Sequence, residues 1–266
     1  MIELKNVQAG YDKTIILPDI SLTIPKHKIT VFIGQNGCGK STLLKTIARV
    51  LPLQKGDIYI DGEAMKKVPH KTLSKKMAVL PQNPTAPAYL SVEELVSFGR
   101  YPYQKPLSSL TKEDHEIINW AMKKTGVYKW RKQRVEALSG GQRQRVWIAM
   151  VLAQKSELLL LDEPTTYLDI SYQLEILELL KELNLEHSLT VVMVLHEINH
   201  AAKFADHIIG LKKGELLFQG SPMEVITKDN LDNLYDIDTQ IIYDETKNYP
   251  ICFDYTLQSK SYRNAL

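Results

Sequence analysis

The sequence predicts an α/β fold with a mostly helical insertion, and three observations carry that reading. Ile29-Thr30-Val31-Phe32-Ile33, Leu158 to Leu161 and Thr190 to Leu195 are short, nearly all apolar runs, as in strands buried on both faces. Each is followed by a helical pattern. From about residue 84 to 153 the texture changes and helical patterns dominate, among them Asp114 to Lys124 and Gln142 to Ala153.

The elements follow in order. Ile2-Glu3-Leu4 and, more clearly, Ile20-Ser21-Leu22-Thr23-Ile24 alternate at the two-residue period of half-buried strands. Pro25-Lys26-His27-Lys28 reads as a turn before the buried strand at Ile29. Past a glycine-rich stretch, Leu43, Leu44, Ile47, Val50 and Leu51 fall on one helical face, and Pro52 is expected to end that helix. Asp57 to Gly62 reads as a strand running into a tight Asp-Gly turn. Met77-Ala78-Val79-Leu80 is a short buried strand closed by Pro81. Pro84, Pro87, Pro102 and Pro106 break the chain before the helices of the insertion. The last stretch is polar with scattered tyrosines and reads as a small appendage or a partly mobile tail.

Composition narrows the function. The 266 residues hold 33 Lys+Arg and 31 Asp+Glu, a formal charge of 33 − 31 = +2. A nucleic-acid surface normally shows a basic excess, so no nucleic-acid partner is expected. A spanning helix needs about 20 apolar residues. The apolar run through Trp147 to Ala153, eight residues counted from Val146, is far shorter. The opening Met1-Ile2-Glu3-Leu4-Lys5 lacks the pattern of a signal peptide. Two cysteines, Cys38 and Cys252, make no disulfide framework. The expectation is a cytosolic, soluble chain.

Gly34-Gln35-Asn36-Gly37-Cys38-Gly39-Lys40-Ser41 fits G-x-x-x-x-G-K-[ST] between a buried strand and a helix. The glycines let backbone N–H groups turn inward on an anion, and the helix N-terminus adds a favourable dipole. Lys40 is suited to β- and γ-phosphates, and the Ser41 hydroxyl to Mg²⁺. A plain glycine-rich turn capping a helix is the alternative. Leu158 to Leu161 then delivers Asp162 and Glu163 at a strand end, where α/β sheets put ligands. Asp162 is placed to hold Mg²⁺ and Glu163 to act as general base toward water. Without the phosphate loop, an acidic turn before Pro164 would be as good a reading. Cys38 is either a small residue filling a tolerant position or a thiol activated by a helix N-terminus and Lys40. Cys252 has no discernible role.

Leu138-Ser139-Gly140-Gly141-Gln142, followed by Arg143-Gln144-Arg145 and a helix, resembles the signature sequence of ABC-transporter ATPases. The resemblance covers about residues 1–225. It implies a P-loop NTPase core with an N-terminal antiparallel β subdomain and a helical insertion at about 84–153. Residues 226–266 are then a small C-terminal extension. It also implies that two copies face each other head to tail with ATP between them. Ser139, Gly140, Gly141 and Gln142 of one copy then serve the nucleotide held by Gly34, Asn36, Gly37, Cys38, Gly39, Lys40, Ser41 and Thr42 of the other. By the same resemblance Gln82 senses Mg²⁺ and the attacking water, and Asp169 crosses the dimer interface. His196 contacts the γ-phosphate, and Tyr11 stacks on adenine, an interaction of about 1–3 kcal/mol. A turn residue is the plainer reading of Tyr11.

His196-Glu197-Ile198-Asn199-His200 also fits H-E-x-x-H, the zinc-protease helix. In a zincin both histidines share a helical face. Here His196 follows a buried strand directly, no third ligand is signalled, and His200 reads as a satisfied helix histidine.

One motif set and no fused membrane segment imply a separate integral membrane permease, as in bacterial importers, with an extracytoplasmic substrate-binding protein as an indirect partner. The chain would lie peripherally on the cytoplasmic face of the cell membrane. Gln82 to Pro87, Leu90 to Val96, Gly99 to Tyr103 and Thr166 to Ile170 resemble the ATPases of iron-siderophore importers, a branch shared with haem and cobalamin importers. The functional expectation is ATP hydrolysis that powers import of a ferric siderophore. Arg100, within that stretch, is expected at a permease-facing groove or as a solvated surface charge. An ATP-driven soluble factor and a metalloprotease are the readings from other classes.

Overall fold

The computed structural model describes residues 1–105, 108–243 and 246–257. Pro106, among the expected breakers, and residues 244, 245 and 258–266 of the expected extension lie outside them. Met1–Lys67 together with the described residues from Thr190 onward forms one compact unit, and Val68–Leu189 forms the other.

In the first unit, β1 (Ile2–Tyr11) pairs antiparallel with β2 (Thr14–Ile24). The sequence shows only fragments of these long strands. Register shifts between Leu4 and Gly10 break the alternation on which a strand reading depends. β3 (Ile29–Ile33) is buried along its whole length. α1 (Lys40–Ile47) starts at Gly39 and ends earlier than Pro52. Arg49 takes a left-handed φ of 58°, and Val50 is 67% exposed, so the expected continuation of the apolar face through Val50 and Leu51 does not form. β4 (Lys55–Ile60) turns at Asp61 and Gly62, with φ of 49° and 82°, into β5 (Glu63–Ala64). Two successive positive-φ residues are what an Asp-Gly hairpin turn requires. One sheet runs β2-β1-β4-β5, antiparallel throughout.

The second unit opens with α2 (His70–Lys76) and β6 (Met77–Leu80). α3 (Val92–Ser97), α4 (Lys112–Lys124) and α5 (Gly140–Ala153) follow, and each has a capping box: Ser91 with Glu94, Thr111 with Asp114, Ser139 with Gln142. Each box satisfies backbone N–H groups that a helix start leaves open. Pro84 and Pro87 lie in irregular chain before α3, and Pro102 sits in a 3₁₀ segment, Phe98–Tyr103. β7 (Leu158–Leu161) is fully buried and pairs in parallel with β6. α6 (Ile170–His187) starts at Asp169 and ends where Ser188 turns left-handed.

The first unit resumes with β8 (Thr190–Val194), one residue shorter than expected, then α7 (Ile198–Phe204), β9 (His207–Lys212) and β10 (Glu215–Gly220). β3 lies between β8 and β9, parallel to both, and β10 closes antiparallel on β9. α8 (Pro222–Val225), α9 (Lys228–Tyr235), β11 (Ile237–Ile242) and β12 (Ile251–Leu257) complete it, the last two as an antiparallel hairpin. Among the described residues, no helix is long and apolar enough to cross a membrane.

Candidate functional site

The site residues fall into two groups, one in each unit. In the first unit the buried β3 delivers the chain into the loop Gly34 to Gly39, and the loop runs directly into α1. Gly34, Gly37 and Gly39 hold φ of 144°, 76° and 107°. A Cβ on Gly34 would meet the Leu211 carbonyl oxygen at 2.2 Å, and one on Gly39 would meet Leu17 Cδ2 at 2.8 Å. Only glycine fits these two positions, and the backbone shape that an anion nest needs is thereby fixed. Lys40 is buried, and its Nζ donates to the carbonyl oxygens of Gly34 and Gln35, both at 2.8 Å. The lysine is thus held across the loop it serves. Cys38 is 5% exposed, with Sγ 3.8 Å from Lys40 Nζ. Its carbonyl accepts the Gly214 N–H from the β9–β10 turn at 2.9 Å. Ser41 and Thr42 lie in the first turn of α1, and Asn36 is exposed on the loop.

Tyr11 ends β1 at the hairpin and is 45% exposed. His196 is exposed between β8 and α7. It precedes the helix, whose N-cap is Glu197, so His196 and His200 do not share a helical face and the zincin geometry is not formed. His200 is a helix residue, as expected, but not a satisfied one. Its Nδ1 is buried with no hydrogen-bond partner among the described residues, and burial lowers its pKa. Its ring packs edge-on against Phe204 at 6.4 Å.

In the second unit β7 carries Asp162, 2% exposed, and Glu163. The Asp162 N–H continues the ladder to the Leu80 carbonyl at 2.9 Å. Glu163 has a positive φ of 53°, uncommon for a non-glycine residue. Gln82, exposed after β6, donates Nε2 to Glu163 Oε2 at 2.7 Å, and the Thr166 hydroxyl donates to the same oxygen at 2.9 Å. The parallel β6–β7 pair brings the glutamine and the glutamate together. The sequence marked Thr166 only as the start of a stretch resembling siderophore importers, not as a partner of Glu163.

Ser139 caps α5: its hydroxyl accepts the Gln142 N–H at 3.3 Å, and Gln142 Oε1 accepts the Ser139 N–H at 3.0 Å. Gly140 is open, and a Cβ there would meet nothing within 4 Å. A Cβ on Gly141 would press on the Tyr172 ring at 3.2 Å. One turn further on, Gln144 Nε2 donates to the Pro164 carbonyl at 2.9 Å, which ties α5 to the loop after Glu163. Asp169, exposed, is the N-cap of α6.

Arg100 contradicts both of its expected roles. It is 5% exposed, its Nε donates to Asp114 Oδ1 at 2.7 Å, and its Nη1 donates to the Ala153 carbonyl at 2.8 Å. It is an internal tie joining the 3₁₀ segment, α4 and the end of α5. It is neither a groove residue nor a solvated charge.

A glycine loop opening a helix, a buried strand ending in two carboxylates and a capped signature helix together define an ATP-binding cassette. Residues 17–166 match the ABC transporter family model, and the chain belongs to that family. Among its relatives, the iron(3+)-hydroxamate import ATP-binding protein FhuC of Bacillus subtilis is 51% identical over 93% of this chain and 92% of its own. The ferric enterobactin transport ATP-binding protein FepC of Escherichia coli is 43% identical over 91% and 89%. A solved dimeric bacterial ABC transporter cassette, MJ0796, superposes with a TM-score of 0.74 at 32% identity, covering 83% of this chain and 98% of that one.

Proposed function

We propose that this chain is the ATPase subunit of an importer for a ferric siderophore, working as a pair of copies on the cytoplasmic face of a separate membrane permease. An extracytoplasmic substrate-binding protein supplies the cargo. The observation that carries the hydrolytic part is the Glu163 carboxylate, fixed by two donors from Gln82 and Thr166. Two donors converging on one carboxylate oxygen fix the direction of the side chain, as a general base requires.

In this reading the amides of Gly34, Asn36, Gly37, Cys38, Gly39 and Thr42, with Lys40, bind the triphosphate, and Tyr11 stacks on the adenine. Ser41, Gln82 and Asp162 offer hydroxyl, amide and carboxylate oxygens, a hard donor set that suits Mg²⁺. Bound there, magnesium would neutralise phosphate charge and favour departure of ADP. Glu163 takes the proton of the attacking water, and ATP and water become ADP and phosphate. His196 holds the γ-phosphate. Ser139, Gly140, Gly141 and Gln142 of the second copy close on it from α5, and Asp169 faces the partner.

The cargo assignment rests on relatives named for iron(3+)-hydroxamate and ferric enterobactin. A clean deletion strain, with no second ATPase able to substitute, should fail to grow on ferric hydroxamate under iron limitation and recover with excess free iron. Unchanged uptake of siderophore iron in that strain would reject the cargo and leave the ATPase assignment standing. Uptake of haem or cobalamin lost instead would move the protein to that neighbouring branch.

A further inference from the structure

The C-terminal extension touches the phosphate loop and the switch segment at separate points, all within the first unit. Asp236, just past α9, sits in the left-handed region at φ 59°, which aspartate tolerates better than most residues. Its Oδ2 accepts Gln35 Nε2 at 2.9 Å, and Gln35 is the second residue of the phosphate loop. Its Oδ1 accepts Lys212 Nζ at 2.8 Å, from the end of β9. The two donors fix the carboxylate, and the carboxylate fixes Gln35; charge-assisted bonds of this kind are the stronger class. Tyr235, the preceding residue, buries its hydroxyl near the Gly34 backbone amide, and burial pushes its phenol pKa up.

The other end of the extension holds α7. Asn199, three residues beyond His196, pairs both atoms of its amide with the backbone of Cys252 on β12. Nδ2 donates to the Cys252 carbonyl and Oδ1 accepts the Cys252 N–H, each at 2.9 Å. A side-chain amide bonded in this way acts as one rung of a ladder between helix and strand, and it fixes the first turn of α7.

We infer that the C-terminal extension positions the nucleotide machinery, with Asp236 holding the phosphate loop and Asn199 holding the segment that carries His196. The inference rests on the proposed reading of that loop and of His196. Neither residue touches substrate; both act through the groups they hold. The two contacts serve different steps. The loop binds ground state and transition state alike, so its displacement weakens binding. His196 acts at the γ-phosphate, so its displacement slows turnover.

The test is steady-state ATPase kinetics of the full chain, with melting temperature measured for every variant. Asp236→Ala should raise KM for ATP about 3–10-fold with kcat within about twofold, Asp236→Asn should recover part of that loss, and Asn199→Ala should lower kcat about 3–10-fold with KM nearly unchanged. Asp238→Ala, on the same extension but paired with Lys228, should alter neither. If Asp236→Ala does not fold, Gln35→Leu breaks the same bond from the loop side and should raise KM likewise. KM and kcat both unchanged in folded Asp236 and Asn199 variants would overturn the inference. So would losses that only follow the drop in melting temperature, Asp238→Ala included. Lys40→Ala and Glu163→Gln run alongside. If they leave binding and turnover intact, the reading of the site fails, and the inference with it; if they act as expected, an unaffected Asp236 refutes the inference alone.

Discussion

Gln82 Nε2 lies 2.7 Å from Glu163 Oε2, so the glutamine that ends β6 and the glutamate that ends β7 form one unit at the ends of adjacent parallel strands. Any movement of the chain after β6 is therefore felt at the proposed base. Because residues 82–103 carry the resemblance to siderophore importers, this bond is a direct route between that segment and the chemistry.

Replacing Gln82 by glutamate puts a second carboxylate against Glu163. Like charges at this distance raise the pKa of the pair, and a general base must be deprotonated to act. Gln82→Glu should lose about tenfold in turnover at pH 6.5 and recover as pH rises toward 8.5. A pH–rate profile parallel to wild type would separate Gln82 from the base.

Arg100 and Asp114 make a buried pair, and breaking such a pair costs about 3–5 kcal/mol. Arg100→Glu should lower the melting temperature by roughly 6–20 °C for a chain of this size. Loss of ATPase in this variant would then follow unfolding, not uncoupling from the permease. A melting temperature within two or so degrees of wild type would contradict the burial of this pair.

The same pair has a pH signature. Burial alone would raise the Asp114 pKa, but hydrogen bonds from Arg100 and Thr111 outweigh it and hold it below 3.8. A depressed folded pKa contributes stability that is complete above the unfolded value and is lost as pH falls through the folded value. The contribution should therefore be flat from neutral pH down to about 4 and disappear below it. Thermal melts of wild type and Asp114→Asn should converge in that acid window. Convergence already at pH 6 would rule out the pair as the cause.

Cys38 is 5% exposed in the phosphate loop, so a bulky maleimide should react slowly with the native chain and quickly with the unfolded one. MgATP should slow it further, because the loop must open to admit the reagent. The readout is Cys38 modification by mass spectrometry. Equal rates with and without MgATP would place the thiol away from bound phosphate.

The sequence made legible what local chemistry decides. The glycine spacing of the phosphate loop, the apolar run into Asp162 and Glu163 and the signature Leu138 to Gln142 before a helix are short patterns whose residue types leave few conformations. Tyr235 and Asp236 were illegible, because their partners Gly34 and Gln35 lie some two hundred positions away and a polar tail shows no period. Arg100 was misread for a related reason. A charge reads as surface until its partner is known, and Asp114 read only as the start of a helical pattern. The β1 and β2 strands were seen only in part, since register shifts interrupt the alternation that announces a strand.

In the proposed function Glu163 is the general base of an ATPase whose loop binds nucleotide without it. The most direct test of that role is single-turnover ATP hydrolysis by Glu163→Gln beside equilibrium ATP binding and ATP-dependent dimerisation of the same variant. Turnover should fall by about 10²-fold or more, while ATP affinity is kept and MgATP traps a stable dimer. Hydrolysis by Glu163→Gln at a near wild-type rate would contradict the account.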